Sequence, residues 1–298
     1  MRVSLSLLAF ASAMFLSGAV CAQQAYPSPE AAADALVTAL EARDVAPQGI
    51  ENALGPQWQD YVPRDSVDRQ DVDAFIATYH KQHDFKATDS THAMLSVGDD
   101  PWTFPVPLVK KDAGWAFDLS AAEPELRARR IGRHERDVVQ AAMAYEDAQL
   151  EYADKDRDGD GKLEYATKFR STEGKHDGLY WEDTGSDESP LGSEFGGESH
   201  EGEWYGYHYR ILTGQGASAP RGAYSYMVGE DMVRGFAMVA WPARYGDSGV
   251  MTYMISHAGE VFEKDMGPDT DRIATDMSTF DPDSSWSKAA EPTDTGIQ

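Results

Sequence analysis

The sequence predicts an α+β chain: an N-terminal helix-plus-meander lobe, joined by a long helix to a C-terminal lobe that is mainly antiparallel sheet. Three observations carry this reading. Apolar residues recur at helical spacing in separate blocks before residue 154. Short strand-like runs lie between those blocks, with a turn signal between the last two. After residue 153 the pattern changes to period two, in runs separated by Gly-containing turns.

The chain of 298 residues opens as a cleavable export signal. Arg2 gives the positive start, Leu5 to Val20 is apolar, and Val20-Cys21-Ala22 offers small residues for cleavage after Ala22. The apolar run is too short and too early for a membrane span. Cys21 is the only cysteine. Val20 and Gly18 depart from the residues a lipoprotein signal places before its Cys, so plain cleavage is expected. The expected mature chain then holds no thiol, which excludes disulfides and cysteine catalysis. These features predict a periplasmic protein without stable membrane insertion.

Lys and Arg number 26 against 51 Asp and Glu, a formal charge of −25. That balance opposes nucleic acid and anionic lipid, whose phosphates are neutralised by basic side chains. It serves solubility, and it also attracts divalent cations.

Residues 23–27 read as a loose leader to an N-terminal lobe over 23–120. Ser28 can cap a helix, with Pro29 at its first position and Glu30 at the positive end of its dipole. Ala32, Leu36, Val37 and Leu40 carry that helix to about Arg43. Val72, Phe75, Ile76 and Tyr79 mark a second helix over 71–80. Strands are predicted at 92–97, 104–110 and 115–119, and Lys111-Asp112-Ala113-Gly114 joins the last two as a hairpin. This order resembles the curved cone of the nuclear-transport-factor-2 type.

Connecting helices are predicted over 121–153. Ser120 and Glu123 form a capping box, Ile131-Gly132 breaks the first segment, and a longer helix runs from His134 to Ala153. The C-terminal lobe is expected over 154–286. In "WYGYHYRIL", Tyr205, Tyr207, Tyr209 and Ile211 alternate with Trp204, His208 and Arg210. Further strands are predicted at 223–228, 235–241, 250–256 and 260–264, and the stretch 182–203 as a polar surface loop. A disordered tail is expected over 287–298.

Several pieces in order resemble the secreted bacterial family called domain of unknown function 2950. They include "YPSPEAAADALVTALEARD", "RRIGRHE", "AYEDAQLEYADKDRDGDGKLEYA", "FRSTEGKHDGLYW" and "RGFAMVAWPARYGDSGVMTYMISHAGEVFEKDMGPDT". The resemblance spans nearly the whole expected mature chain and implies no assigned activity. The C-terminal lobe is also similar to the globular parts of pilins and pseudopilins, although the membrane-embedded filament helix of those proteins has no counterpart here.

The strongest local motif is Asp156-Arg157-Asp158-Gly159-Asp160-Gly161-Lys162-Leu163-Glu164. Alternating carboxylates from Asp156, Asp158 and Asp160 converge when a chain curls. Gly161 permits the sharp turn, Lys162 would offer its backbone carbonyl, and Glu164 a further oxygen. Hard oxygen ligands in this pattern suit a structural Ca2+. Thr167 stands where an EF-hand places its bidentate Glu, so an outside carboxylate such as Glu173 or Asp177 would have to help. The alternative is an acidic surface turn without metal.

Gly246-Asp247-Ser248-Gly249 copies the residues around a serine-protease nucleophile, but no base is placed beside it, and it reads as an inter-strand turn. The eight histidines lack zinc spacing. Tyr180, Trp181, Trp204, Tyr205, Tyr207 and Tyr209 suit either a sheet core or a groove for sugar or peptide. The expected function is therefore non-enzymatic: binding or envelope assembly with a calcium-stabilised loop, the partner being an envelope protein or a small ligand. Two rivals are an envelope hydrolase using acids around Asp177 and Glu182, and a small-ligand carrier walled by Trp102, Phe104 and Trp115.

Overall fold

The computed structural model describes residues 23–62, 67, 69–99, 102–157, 159–182, 188–192 and 203–290. The chain is α+β and divides into two compact units at Glu123–Pro124. The export signal expected over 1–22, most of the polar loop expected over 182–203, and the tail beyond 290 lie outside the described residues.

In the first unit Ser28 caps α1 (Pro29–Glu41), whose buried stripe is Ala32, Ala33, Leu36, Val37 and Ala39. Short helices α2 (Gln48–Leu54) and α3 (Trp58–Tyr61) follow, then α4 (Arg69–Lys81). The sheet comprises β1 (His83–Ala87), β2 (His92–Val97), β3 (Trp102–Thr103), β4 (Leu108–Lys111) and β5 (Gly114–Phe117). Its order is β1-β2-β4-β5, with β3 also paired to β2. All these pairs are antiparallel.

Two expectations shift here. The strand expected over 104–110 starts only at Leu108, because Pro105 and Pro107 have no N–H to give the ladder. The leader is not loose: Tyr26 exchanges backbone hydrogen bonds with Trp115, at 2.8 and 2.7 Å. A Cβ at Gly114 would stand 2.4 Å from the Tyr26 carbonyl oxygen, so only glycine allows this approach.

Helix α5 (Leu119–Tyr152) runs without a break through Ile131-Gly132. The expected interruption is absent; an interior Gly costs about 1 kcal/mol, which a helix with one face in a core can absorb. Val138, Val139, Ala142 and Tyr145 provide that face. Its cap is Asp118, which accepts from the Ala121 N–H and the Ser120 hydroxyl, in place of the expected Ser120–Glu123 box.

In the second unit the strands are β6 (Glu203–Trp204), β7 (Tyr207–Leu212), β8 (Gly214–Gln215), β9 (Tyr224–Ser225), β10 (Met227–Val228), β11 (Asp231–Met232), β12 (Ala237–Pro242), β13 (Met251–Ser256) and β14 (Val261–Asp265). Helix α6 (Thr270–Thr275), β15 (Thr279–Phe280) and β16 (Ser287–Lys288) complete it. The main sheet has the order β16-β14-β13-β12-β7-β6, antiparallel throughout.

One face of this sheet packs Tyr207, Ala240 and Tyr253 against Val138 and Val139 of α5. The other face takes α6 and the chain after it. The Trp241 indole donates to Asp271 at 2.9 Å, the Arg210 guanidinium donates to the Met277 carbonyl at 3.2 Å, and the Phe262 and Phe280 rings meet at 5.8 Å. Ser287 and Lys288, expected in the tail, pair with Glu263 and Phe262.

Tyr205 is not part of a continuous strand. It and Gly206 form the two-residue turn between β6 and β7, with φ of 52° and 71°. Positive φ at both positions is the type I′ requirement. Tyr207, Tyr209 and Ile211 keep their expected alternation with His208 and Arg210.

Candidate functional site

The acidic loop begins where α5 ends. Its Arg157 guanidinium lies over the rings of Tyr152 and Trp181, 5.6 and 5.1 Å from their centroids. Trp181 in turn stacks on His176 at 4.3 Å. The Asp156 carboxylate accepts from the N–H groups of Gly159 (2.7 Å) and Gly161 (2.9 Å), drawing the chain into a curl. Both glycines have positive φ, 81° and 87°, with open space around them. They are needed for backbone conformation, not for room.

Asp160 accepts from the Lys162 backbone N–H at 2.9 Å and from the Lys162 ammonium at 2.7 Å. The same ammonium reaches Asp231 at the start of β11, at 2.6 Å. Hydrogen bonding to Lys162 lowers the Asp160 carboxyl from its ordinary range, and Asp160 and then Asp231 raise the Lys162 ammonium. Thus Lys162, expected to offer only its carbonyl, also supplies a positive charge to the loop. Glu164 is half-buried and engaged, and Asp158 lies outside the described residues. Among the described residues, no three His, Cys, Asp or Glu side chains converge on one metal position.

The far end of the loop is fixed twice. The Tyr165 N–H donates to the Met232 carbonyl at 2.8 Å. Gln149, buried on α5, accepts from the Ala166 N–H and donates to the Ala166 carbonyl, both at 2.8 Å.

The acids of the hydrolase reading do other work. Asp177 accepts from Lys168 at 2.6 Å and from the N–H and hydroxyl of Thr172 at 2.7 and 3.0 Å. Burial would raise its carboxyl, but these donors outweigh burial and lower it to about 2. Glu182 is exposed and lies 3.7 Å from Arg170. A general acid needs a raised carboxyl, and Asp177 is the reverse.

The aromatic groups are mostly packed against one another. Phe169, Trp204 and Tyr209 form a mutual cluster with centroids 5.6 to 6.3 Å apart. Burial pushes the Tyr209 phenol well up. In the first unit Trp102 and Phe104, two candidate walls of a ligand cone, pack on Phe75 at 6.1 and 5.5 Å. The third, Trp115, is half-buried at the Tyr26 bridge.

Sequence reasoning missed a polar corner formed by α5 and the segment 243–251. Arg130 pairs with Asp247, which also accepts from Arg244 Nε at 3.1 Å. His134 Nδ1 meets the Ser248 carbonyl oxygen at 2.8 Å. Glu135 Oε1 accepts from the N–H groups of Val250 and Met251, both at 3.0 Å. The buried Ser248 hydroxyl accepts from the Arg244 N–H at 2.9 Å and donates to the Arg244 carbonyl at 3.3 Å. The turn reading of Gly246–Gly249 therefore holds: His134 binds the serine's carbonyl, and its hydroxyl closes the turn. The cue was present in "RRIGRHE", whose Arg130, His134 and Glu135 all bind this turn, but partners over a hundred residues away cannot be read from spacing.

No curated protein and no solved structure matches the chain. Among the described residues no helix is long and apolar enough to cross a membrane. A family model described as "Protein of unknown function (DUF2950)" matches residues 23–289, and the chain belongs to that family.

Proposed function

We propose that the protein is an exported, periplasmic, non-enzymatic binding or envelope-assembly protein whose acidic loop takes a structural Ca2+. The observation that supports this best is the curl of the loop: Asp156 gathers the N–H groups of Gly159 and Gly161, as the first carboxylate of a calcium loop does. Fixed ends at Arg157 and Ala166 reduce the entropy lost on ordering the loop around an ion. Asp156, Asp158 and Asp160 would supply carboxylates, with the Lys162 carbonyl and Glu164. Asp231 is within reach of the loop through Lys162 and is an outside carboxylate that sequence spacing did not suggest. The ligands would all come from one short stretch and its neighbour Asp231, which favours a structural role for the ion.

Thermal unfolding of residues 23–298, first in excess EDTA and then in about millimolar calcium, tests the reading. A rise in Tm with calcium that disappears in Asp158→Ala is the expected result. An unchanged Tm, or an equal rise in the variant, overturns it.

A further inference from the structure

Strand β1 ends its sheet with one side open. Its residues are exposed except for the half-buried Phe85. Among the described residues the other sheet ends are two-residue strands, or closed as at β5, where Tyr26 bridges to Trp115. The Gln82 carbonyl accepts from the Gly98 N–H at 2.9 Å, and the Thr88 N–H donates to the His92 carbonyl at 3.0 Å. Bonded and non-bonded pairs alternate along an antiparallel ladder, so Asp84 and Lys86 also turn their backbone groups to β2. The backbone groups of His83, Phe85 and Ala87 therefore face outward. The Phe85 N–H has the Asp84 carboxylate as its acceptor, at 2.8 Å, in place of a strand.

We propose that this edge is an interface for a second copy of the chain, β1 pairing antiparallel with β1 about a two-fold axis at Phe85. Outward-facing residues must meet outward-facing residues for the new ladder to bond. Symmetric pairing about Asp84 would set Asp84 against Asp84, and pairing about Lys86 would set Lys86 against Lys86. Both arrangements oppose like charges directly. Pairing about Phe85 sets Phe85 against Phe85, His83 against the small Ala87, and Asp84 against Lys86 of the second copy. The last contact occurs twice by symmetry, which makes the interface isologous. Lys86 is exposed and has no ionic partner among the described residues, so it is available for this pair. As the Phe85 N–H passes to a carbonyl of the second strand, the Asp84 carboxylate is released to meet that ammonium.

A charged edge deters an unrelated strand, whereas these two charges complement their own copy. Five residues a side form a contact below the standard interface size, so the dimer is a weak one, in the micromolar to millimolar range. The chain carries −25, and two copies repel at long range. At about 0.15 M salt the screening length is roughly 8 Å, which damps that repulsion and spares adjoining pairs. Strand β1 belongs to the first unit and the acidic loop to the second, so the pairing does not depend on calcium.

Sedimentation equilibrium of residues 23–298 at that ionic strength, at concentrations up to about 1 mM, is the test. The parent should show a reversible monomer–dimer equilibrium. Asp84→Lys and Lys86→Asp each turn both symmetric contacts into like-charge pairs, and each should weaken association by about 10-fold or more. Mixed together, the two variants carry opposite charges at every contact and should dimerise with each other at least as well as the parent does. The double exchange, Asp84→Lys with Lys86→Asp, restores both pairs within one chain and should regain the parent's association. Both side chains are exposed, so these changes leave the core alone. A parent that stays monomeric to about 1 mM overturns the proposal and leaves the edge to a strand from another protein. Dimerisation that both folded single variants retain also overturns it, since the contact then lies on another surface. So does failure of the mixed variants to associate.

Discussion

Gln149 and Ala166 are joined by two hydrogen bonds of 2.8 Å, in which one buried carboxamide serves both backbone groups of a residue 17 positions away. The carboxamide occupies the place a neighbouring strand would take. It closes the segment containing the acidic loop onto the helix from which that segment departs. The Gln149 amide also donates to the Tyr145 hydroxyl at 3.0 Å, and that hydroxyl donates to the Ala237 carbonyl in β12 at 3.1 Å. Helix, loop foot and sheet are thereby linked in one polar chain inside an apolar core.

Gln149→Leu should therefore destabilise the protein by about 2–4 kcal/mol, since two buried backbone groups lose their partners at once. Urea unfolding at neutral pH measures this. A loss below about 0.5 kcal/mol, the level of an ordinary surface change, would show that water replaces the carboxamide readily.

Gly249→Ala is expected to cost about 2–3 kcal/mol, as overpacking does in a core. The added Cβ would stand 2.1 Å from the Tyr207 hydroxyl oxygen, which donates to the Met251 carbonyl at 3.0 Å. The cost should be smaller in a Tyr207→Leu background, because the clash is with that ring. A double-mutant cycle by denaturant unfolding checks the coupling. Simple additivity would place the strain elsewhere in the turn.

What was legible in the sequence was local. Ser28 announced α1, and the Lys111–Gly114 turn announced the β4–β5 hairpin, because each signal acts within a few residues. The alternation from Tyr207 to Ile211 placed those side chains correctly on the sheet. β1 was missed because "HDFKA" sits at a sheet edge with Phe85 alone half-buried, so no apolar pattern marks it. Tyr205 was misread because aromatic alternation continued past the strand into a turn with positive φ. The acidic loop was visible as a motif, but the roles of Asp231 and Gln149 were not. Both come from elements distant in sequence, and topology alone brings them together. The corner of Arg130, His134 and Glu135 was hidden for the same reason.

Tyr205→Asn should stabilise the β6–β7 hairpin by up to about 1 kcal/mol, since Asn tolerates the left-handed backbone that a Tyr resists. Tyr205 has φ 52° and is 40% exposed, so the substitution removes little buried surface. A raised Tm with unchanged far-ultraviolet circular dichroism is the expected outcome. A fall in Tm would mean that the ring contributes more through its contacts than the backbone strain takes away.

Asp177 gives the clearest pH dependence. Its folded carboxyl is lowered to about 2, below the roughly 3.9 of an unfolded Asp. A group depressed on folding stabilises the protein fully above its unfolded value, and that contribution fades as pH falls through the folded one. The window is therefore between about pH 4 and pH 2. The side chain is 26% exposed, so solvent screening reduces the contribution to on the order of 1 kcal/mol. Asp177→Asn should accordingly be less stable than the parent at pH 6 and close to it at pH 2, measured by urea unfolding at both values. The same comparison bears on the hydrolase alternative. A carboxyl poised as a general acid would be raised on folding, and its replacement by Asn would then cost more at low pH than at pH 6. Lys168 and Thr172 set the opposite sign, which makes Asp177 a clasp for its loop and leaves it unsuited to giving up a proton near neutral pH.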